Sequence, residues 1–263
     1  MSKILVTVDF TPTAEKAIAL AGNIAKTRGD EIVLLHIFEA MHMGEKAAQA
    51  MKFSPIYKAL VNDLEDLCEK TRNVYGIKVS FIIKDGDIFE HISQSAKEIN
   101  CSLVVMGVHG LKGIQKITGS YAAQIIAQCT HPFLTIQQNG MPELSGNMLV
   151  YTNERTITAD KQKWISDFAS KFALNVVLIV STQAGSHMAS IMNQNREEFK
   201  TLLNNANVSC ELSEADNADE VLAAAGSHKP SIIVLIKETS ETEFTEDEIK
   251  LLYNSSQIPL MRL

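Results

Sequence analysis

A regular alternation of apolar, strand-type segments with helix-type segments constrains the fold more than any other feature of this sequence. Over residues 1–137 the pattern predicts strands at 3–9, 31–37, 77–84, 102–106 and 132–137. It predicts helices at 11–28, 87–99 and 120–129, with one long helix or a broken pair of helices in 45–75. Because parallel strands need crossover connections that helices usually supply, the alternation predicts a parallel sheet covered by helices on both faces.

The same alternation returns after residues 138–146, whose Gly, Pro, Ser and Asn content predicts a linker. Strands are then predicted at 148–152, 175–181, 208–213, 231–237 and 259–263, and helices at 158–172, 189–205, 217–226 and 245–254. The chain therefore predicts an α/β fold of two tandem, open, parallel five-stranded sheets, divided into domains 1–138 and 147–263.

Composition and charge exclude several classes of protein. The chain is 46% hydrophobic and 21% charged, which is ordinary for a globular protein. Its net charge of −7 and pI of about 5.5 argue against a sequence-independent nucleic-acid binder, which needs a basic face. Residues 1–140 are neutral overall and residues 141–263 carry the whole −7, so a polyanionic ligand would meet less repulsion on the first half.

Neither a membrane span nor a secretory signal is visible in the sequence. No apolar run reaches the roughly 18 residues that a span needs, and Met1-Ser2-Lys3 leads straight into a strand. The four cysteines are scattered, with no C-x-x-C pair, and are expected to be reduced and mostly buried. These features predict a cytoplasmic protein.

A glycine-rich segment after the fourth strand predicts a phosphate site. The apolar run ending at Met106 leads into a loop with Gly107, Gly110 and Gly113, and Gly119-Ser120 then opens an alanine-rich helix. Glycines let backbone N–H groups approach a ligand closely, and a helix N-terminus attracts anions. The segment is neither a P-loop nor a dinucleotide-binding fingerprint, and a plain strand-to-helix connection remains an alternative.

Four features together resemble the universal stress protein family: Asp9 after the first strand, the 34–37 strand, the 106–110 loop and the Gly119-Ser120 helix start. The resemblance is specific over residues 1–137 and weak over 147–263. It implies a Rossmann-like, adenine nucleotide α-hydrolase-like fold and, for members with the glycine signature, ATP binding. The family usually has nine residues before its Gly-Ser/Thr pair, whereas eight separate Gly110 from Gly119 here.

The resemblance also implies roles for individual residues. Asp9 would contact the ribose or adenosine, backbone groups of Ile37 would read the adenine edge, and Met106 and Gly107 would line the floor. The full candidate binding set is Thr7, Asp9, Ile37, Met106, Gly107, His109, Gly110, Gly113, Gly119, Ser120 and Tyr121. Of these, Gly110, Gly119, Ser120 and the Tyr121 N–H would hold the phosphates, and Thr7 stands where some ATP-binding members have proline. Alternatively, Asp9 caps the following helix, Met106 is core and His109 packs within the loop.

The resulting functional hypothesis is a stress-response regulator that binds ATP or AMP, with Mg²⁺ possible beside ATP. One alternative is a structural, partner-binding module without nucleotide. Another is an ATP α-hydrolase-type enzyme, against which the non-glycine sequence Asp-Phe-Thr-Pro-Thr at 9–13 argues. No catalytic residue or metal site is predicted, and turnover would be weak ATPase activity or autophosphorylation at most.

Partner expectations also follow from the resemblance. Strand five of this family commonly pairs subunits edge to edge, so residues 133–137 would pair with 260–263 inside one chain, imitating a homodimer. A further homodimer and an unknown protein partner remain open, and neither nucleic acid nor membrane is expected.

Overall fold

The structure is a computed structural model that describes residues 1–38, 54–108, 129–152, 156–180, 186–236 and 257–263. Within these ranges, the side chains of Phe89 and of residues 186–192 are not described. The predicted helix at 245–254 and all but the last residue of the predicted helix at 120–129 lie outside these ranges, as does the part of 45–75 that precedes Ser54.

Strands and helices alternate along the described ranges. The strands are β1 (Lys3–Thr7), β2 (Glu31–Phe38), β3 (Val79–Asp85), β4 (Leu103–Val108), β5 (Phe133–Gln137), β6 (Asn147–Thr152), β7 (Asn175–Val180), β8 (Cys210–Glu214), β9 (Pro230–Leu235) and β10 (Leu260–Arg262). The helices are α1 (Pro12–Arg28), α2 (Pro55–Tyr75), α3 (Ile88–Glu98), α4 (Ala159–Lys171), α5 (Ser186–Asn205) and α6 (Ala218–His228).

All ten strands form one sheet in the order β3-β2-β1-β4-β5-β10-β9-β6-β7-β8. Counted outward from the β5–β10 contact, the second half has the order β10-β9-β6-β7-β8, which matches the order β5-β4-β1-β2-β3 of the first half. Every neighbouring pair is parallel except β5 and β10, which are antiparallel, with Leu260 opposite Thr135 and Arg262 opposite Phe133. The parallel α/β fold class and the expected pairing of 133–137 with the C-terminal strand are therefore confirmed, and the two five-stranded sets are continuous.

Helices cover both faces of this sheet, as expected. On one face, α1, α2, α4 and α5 pack against alternate strand residues such as Ile4, Val6 and Val150. On the other face, α3 and α6 pack against the intervening residues, such as Leu5 and Leu149. Each buried cluster contains residues from both halves, so the hydrophobic core runs through the β5–β10 contact.

Side-chain hydrogen bonds reinforce the connection between the halves. Lys16 and Asn23 on α1 donate to the carbonyls of Gly140 and Pro142, at 3.0 and 2.9 Å. These bonds hold the β5–β6 connection against the first half. Across the strand contact, the buried Arg262 guanidinium donates to the Cys129 carbonyl at 2.8 Å.

Several element boundaries differ from the sequence prediction. β1 ends at Thr7, two residues before the predicted end, because the chain turns out of the sheet there. α5 begins at Ser186, three residues before its predicted start, and β8 covers Cys210–Glu214 in place of 208–213. Across the described ranges, no helix is long and apolar enough to cross a membrane.

Candidate functional site

The strand order places a topological switch point between β1 and β4. From β1, the chain continues to β2 and β3 on one side of β1, and then returns to β4 on the other side. In open parallel sheets, ligands bind at such a point, beyond the carboxyl ends of the strands. Val6 of β1 pairs with Val105 of β4, so the next residues, Thr7 and Met106, lie side by side at this end. On the other side of β1, Thr7 pairs with Leu35 of β2.

The β1–α1 connection turns sharply at this edge. The Val8 N–H still donates to the Leu35 carbonyl at 2.8 Å, but the Val8 carbonyl lies 2.8 Å from Nδ1 of His36. Since a carbonyl only accepts, His36 Nδ1 carries the proton and donates it here. The His36 ring thus takes the place of a backbone N–H as the partner of the Val8 carbonyl. Phe10 follows two residues later with φ of 59°. These two features end β1 before Asp9.

Asp9 is exposed and makes local hydrogen bonds. Its Oδ1 accepts from the Thr11 N–H at 3.0 Å and from the Thr11 hydroxyl at 2.6 Å. The Thr11 Oγ1 in turn accepts from the Ala14 N–H at 3.2 Å, which caps α1. The alternative that Asp9 serves the start of α1 is therefore supported by these contacts. They also orient the carboxylate at the carboxyl end of β1.

Gly107 is required by packing. A Cβ at this position would lie 2.7 Å from the carbonyl oxygen and 2.8 Å from the carbonyl carbon of Thr13. Only glycine lets the first turn of α1 approach β4 this closely. Met106 is 1% exposed and belongs to the core on the α3 face, so any contact it makes with a ligand would come from its backbone. Gly107 and Met106 thus have structural roles that are independent of a ligand.

Phe10 and His36 belong to the same edge and were not among the predicted residues. Phe10 is 44% exposed. The centroid of its ring lies 5.3 Å from that of the His36 ring, and the two ring planes are tilted by 51°. The sequence signal was an aromatic residue directly after Asp9, inside a short strand-to-helix turn. This signal is difficult to interpret without the backbone angle of Phe10, because aromatic residues usually belong to the hydrophobic core.

Five of the predicted residues, Thr7, Asp9, Ile37, Met106 and Gly107, lie at the carboxyl edge of the first half, on β1, β2 and β4 or just beyond β1. The other six, His109, Gly110, Gly113, Gly119, Ser120 and Tyr121, lie outside the described residues. Within the described ranges, no group of three His, Cys, Asp or Glu side chains is arranged to hold a metal ion.

Comparison with known proteins identifies the family. The sequence profile of the Universal stress protein family matches residues 1–137. This chain is a member of the universal stress protein family. Universal stress protein MJ0577 of Methanocaldococcus jannaschii is 26% identical over 153 residues, which cover 52% of this chain and 94% of that protein. Universal stress protein YxiE of Bacillus subtilis is 24% identical over 147 residues, covering 52% of this chain and 99% of that protein.

Solved structures are similar over either the whole chain or one half. A universal stress protein from Archaeoglobus fulgidus matches 99% of this chain and 97% of its own, with a TM-score of 0.77 and 15% identity. That likeness shows that the two chains share their overall fold. A family protein from Arabidopsis thaliana, solved with AMP bound, matches 53% of this chain and 93% of its own, with a TM-score of 0.38 and 20% identity.

The second half of this universal stress protein has a different edge at its own switch point, between β6 and β9. There the backbone of Ile157 is held by side chains. Its N–H donates to Asn195 Oδ1 at 2.8 Å, and its carbonyl accepts from Asn195 Nδ2 at 3.1 Å and from Gln162 Nε2 at 3.0 Å. Asn195 of α5 thus fixes the segment before α4.

The thiols of this universal stress protein are poor nucleophiles. None of the four cysteines forms a disulfide, and Cys68, Cys101 and Cys129 are buried, which confirms the sequence expectation. Burial is the main cause that raises the pKa of Cys101 to about 12, and the neighbouring Cys129 thiol adds to the shift. Burial also raises the pKa values of Cys68 and Cys129. All three therefore remain protonated near neutral pH.

Proposed function

We propose that this protein is an adenine-nucleotide-binding regulator that holds ATP or AMP in a domain formed by residues 1–138. The observation that carries the proposal is the edge at the β1–β4 switch point. It presents an exposed, hydrogen-bonded Asp9 carboxylate beside the ends of two parallel strands. Family membership over residues 1–137 supports the same location.

The described residues fit the nucleoside part of such a ligand. A carboxylate accepts hydrogen bonds from ribose hydroxyls, and Asp9, at the carboxyl end of β1, would accept them from the sugar of a nucleotide bound at this edge. Ile37 is half-buried in β2, pairs with Lys84 of β3, and would use its backbone groups for the base edge. Glycines 110 and 119, Ser120 and the Tyr121 N–H would hold the phosphates; this part of the proposal rests on the sequence.

Binding without efficient turnover is the expected chemistry. Near Asp9, the Thr11 hydroxyl donates to the carboxylate, but its oxygen also accepts from the Ala14 N–H, so this pair serves as the cap of α1. The buried thiols are protonated and belong to the core. Weak ATP hydrolysis or autophosphorylation at Ser120 would be the most to expect.

A structural, partner-binding module is the second candidate function. It is favoured by the local hydrogen bonds of Asp9 and by the packing requirement at Gly107, since both residues serve the fold without a ligand. In that case Asp9 and Gly107 would be needed only for the start and the packing of α1, and nucleotide would not bind.

Isothermal titration of ATP, ADP and AMP, with and without Mg²⁺, tests the proposal. AMP is included because the Arabidopsis relative was solved with that ligand. We expect one nucleotide per chain and recovery of intact ATP. The Gly110→Val variant should lose binding, because a branched side chain blocks close approach of the backbone to phosphate. Gly226→Ala, at a helix position open to solvent on its Cβ side, should bind like the unchanged protein.

Two results would decide against the proposal. If the folded protein binds none of the three nucleotides, the structural alternative replaces it. If ATP is instead recovered as AMP and pyrophosphate at a rate comparable with enzymes, the protein is an α-hydrolase-type enzyme.

A further inference from the structure

Phe10 is unusual in its backbone conformation. Five residues other than glycine have positive φ in the described ranges: Phe10, Asn100, Ala173, Asn207 and Lys229. The last four come shortly after helices α3, α4, α5 and α6, where left-handed residues commonly end a helix. Phe10 instead precedes a helix. Glycine or asparagine would adopt the same conformation with less strain, so the turn alone does not account for phenylalanine.

Burial does not account for the side chain either. The residue is 44% exposed, although most large apolar residues of the described strands are buried. An aromatic ring held half in water gives up much of the free energy that burial would supply. Strain and exposure at one residue of a ligand-binding edge together suggest a functional contact.

Contacts of neighbouring residues hold the turn that carries Phe10. The His36 imidazole is anchored to the Val8 carbonyl and contacts the Phe10 ring. In the backbone that carries Phe10, Asp9 Oδ1 accepts hydrogen bonds from both the N–H and the hydroxyl of Thr11. The residues before and after Phe10 are thus tied down, so the ring is positioned without a ligand, and little conformational entropy would be lost on contact.

We propose that Phe10, backed by His36, is the aromatic surface against which the base of the bound nucleotide stacks. This inference rests on the nucleotide site proposed above and adds the residue that binds the base face. Asp9 would contact the sugar, Ile37 the base edge, and the adjacent Phe10 ring the flat face of the base. Because every base has such a face, the contact contributes affinity for purines in general, and the backbone of Ile37 supplies the selectivity for adenine.

Three substitutions separate stacking from a role in folding. Phe10→Leu keeps an apolar side chain but removes the aromatic face, and Phe10→Gly removes the side chain while relieving the positive φ. Both should weaken AMP binding about 5- to 150-fold, the range for loss of one base–aromatic stack. Phe10→Trp should bind at least as tightly. Val74→Ala, at a 61% exposed residue in the last turn of α2, is the control and should bind AMP like the unchanged protein.

A fluorescence titration adds a readout that a structural role would not change. The single tryptophan of the chain is Trp164 in α4, so Phe10→Trp combined with Trp164→Phe places the only indole at the site. Stacking predicts that AMP quenches this fluorescence with the Kd found by calorimetry.

The outcomes distinguish this inference from the proposed function. Unchanged AMP affinity in both Phe10→Leu and Phe10→Gly, or AMP binding without quenching in the tryptophan variant, would overturn the role of Phe10 and leave the nucleotide site standing. Absence of nucleotide binding in the unchanged protein would overturn the proposed function and this inference together.

Discussion

At the scale of single residues, Gly107 illustrates how one position can satisfy both the fold and a binding site. The glycine lies in β4 at the switch point, and the Thr13 carbonyl of α1 occupies the space where its side chain would be. The same close approach brings the start of α1 to the edge where Asp9 and Phe10 lie. A requirement of helix packing thus shapes the floor of the candidate site.

Gly107→Ala should destabilise the protein by about 1–3 kcal/mol, because the new methyl group meets backbone that cannot move independently. Urea unfolding followed by circular dichroism measures the change. Gly226→Ala is the matched control: its Cβ would meet nothing within 4 Å, and alanine in a helix should raise the stability by about 0.5–1 kcal/mol. Equal stability of the Gly107→Ala variant and the unchanged protein would contradict the packing role.

Sequence patterns could predict only part of the candidate site. Asp9 and Gly107 were found because their residue types and order match a known family. The role of Gly107 against Thr13 could not be found, since the two residues are brought together by tertiary packing. Phe10 was missed for a related reason: the sequence shows an aromatic residue, and only the structure shows its positive φ and exposed ring.

At the scale of elements, the β5–β10 contact joins the two halves. Three residue pairs link these antiparallel strands, and the Thr135 hydroxyl also donates to the Leu260 carbonyl at 3.1 Å. Arg262 then reaches from β10 to the Cys129 carbonyl in a buried position, with a side chain of only 6% exposure. A short strand is therefore supported by side-chain bonds on either side of the contact.

Arg262→Met should lower the free energy of unfolding by about 1–3 kcal/mol, because the buried Cys129 carbonyl loses its guanidinium donor. Thermal and urea unfolding measure this. The control is Lys163→Met, which removes a cation of 71% side-chain exposure paired with Asp167 and should change stability by less than about 0.5 kcal/mol. An Arg262→Met variant as stable as this control would show that the guanidinium bond does not support the contact.

Element order was predictable because it depends on local patterns. The Pro12 and Ser54-Pro55 helix starts and the glycines after α1 and α2 are local signals. The residues directly after these helices, Gly29 and Gly76, have left-handed φ of 73° and 67°. The end of β1 was predicted two residues late, because the His36 ring that captures the Val8 carbonyl comes from another strand. Such long-range contacts determine where a strand ends, which the hydrophobic periodicity of the sequence does not.

At the scale of the whole molecule, one continuous sheet contains two switch points with unequal edges. The first presents Asp9 and the exposed Phe10 ring. The second has Ile157 held by Asn195 and Gln162, and its sequence lacks glycines at 236–241. This difference leads to the central claim that one nucleotide binds, in the first half.

A crystal structure of the protein grown with AMP tests this claim most directly. We predict one AMP per chain beyond the carboxyl ends of β1 and β4, with a ribose hydroxyl within hydrogen-bonding distance of the Asp9 carboxylate. The edge between β6 and β9 should contain no nucleotide. AMP bound at the second edge, or crystals without AMP at a concentration well above the measured Kd, would contradict the account.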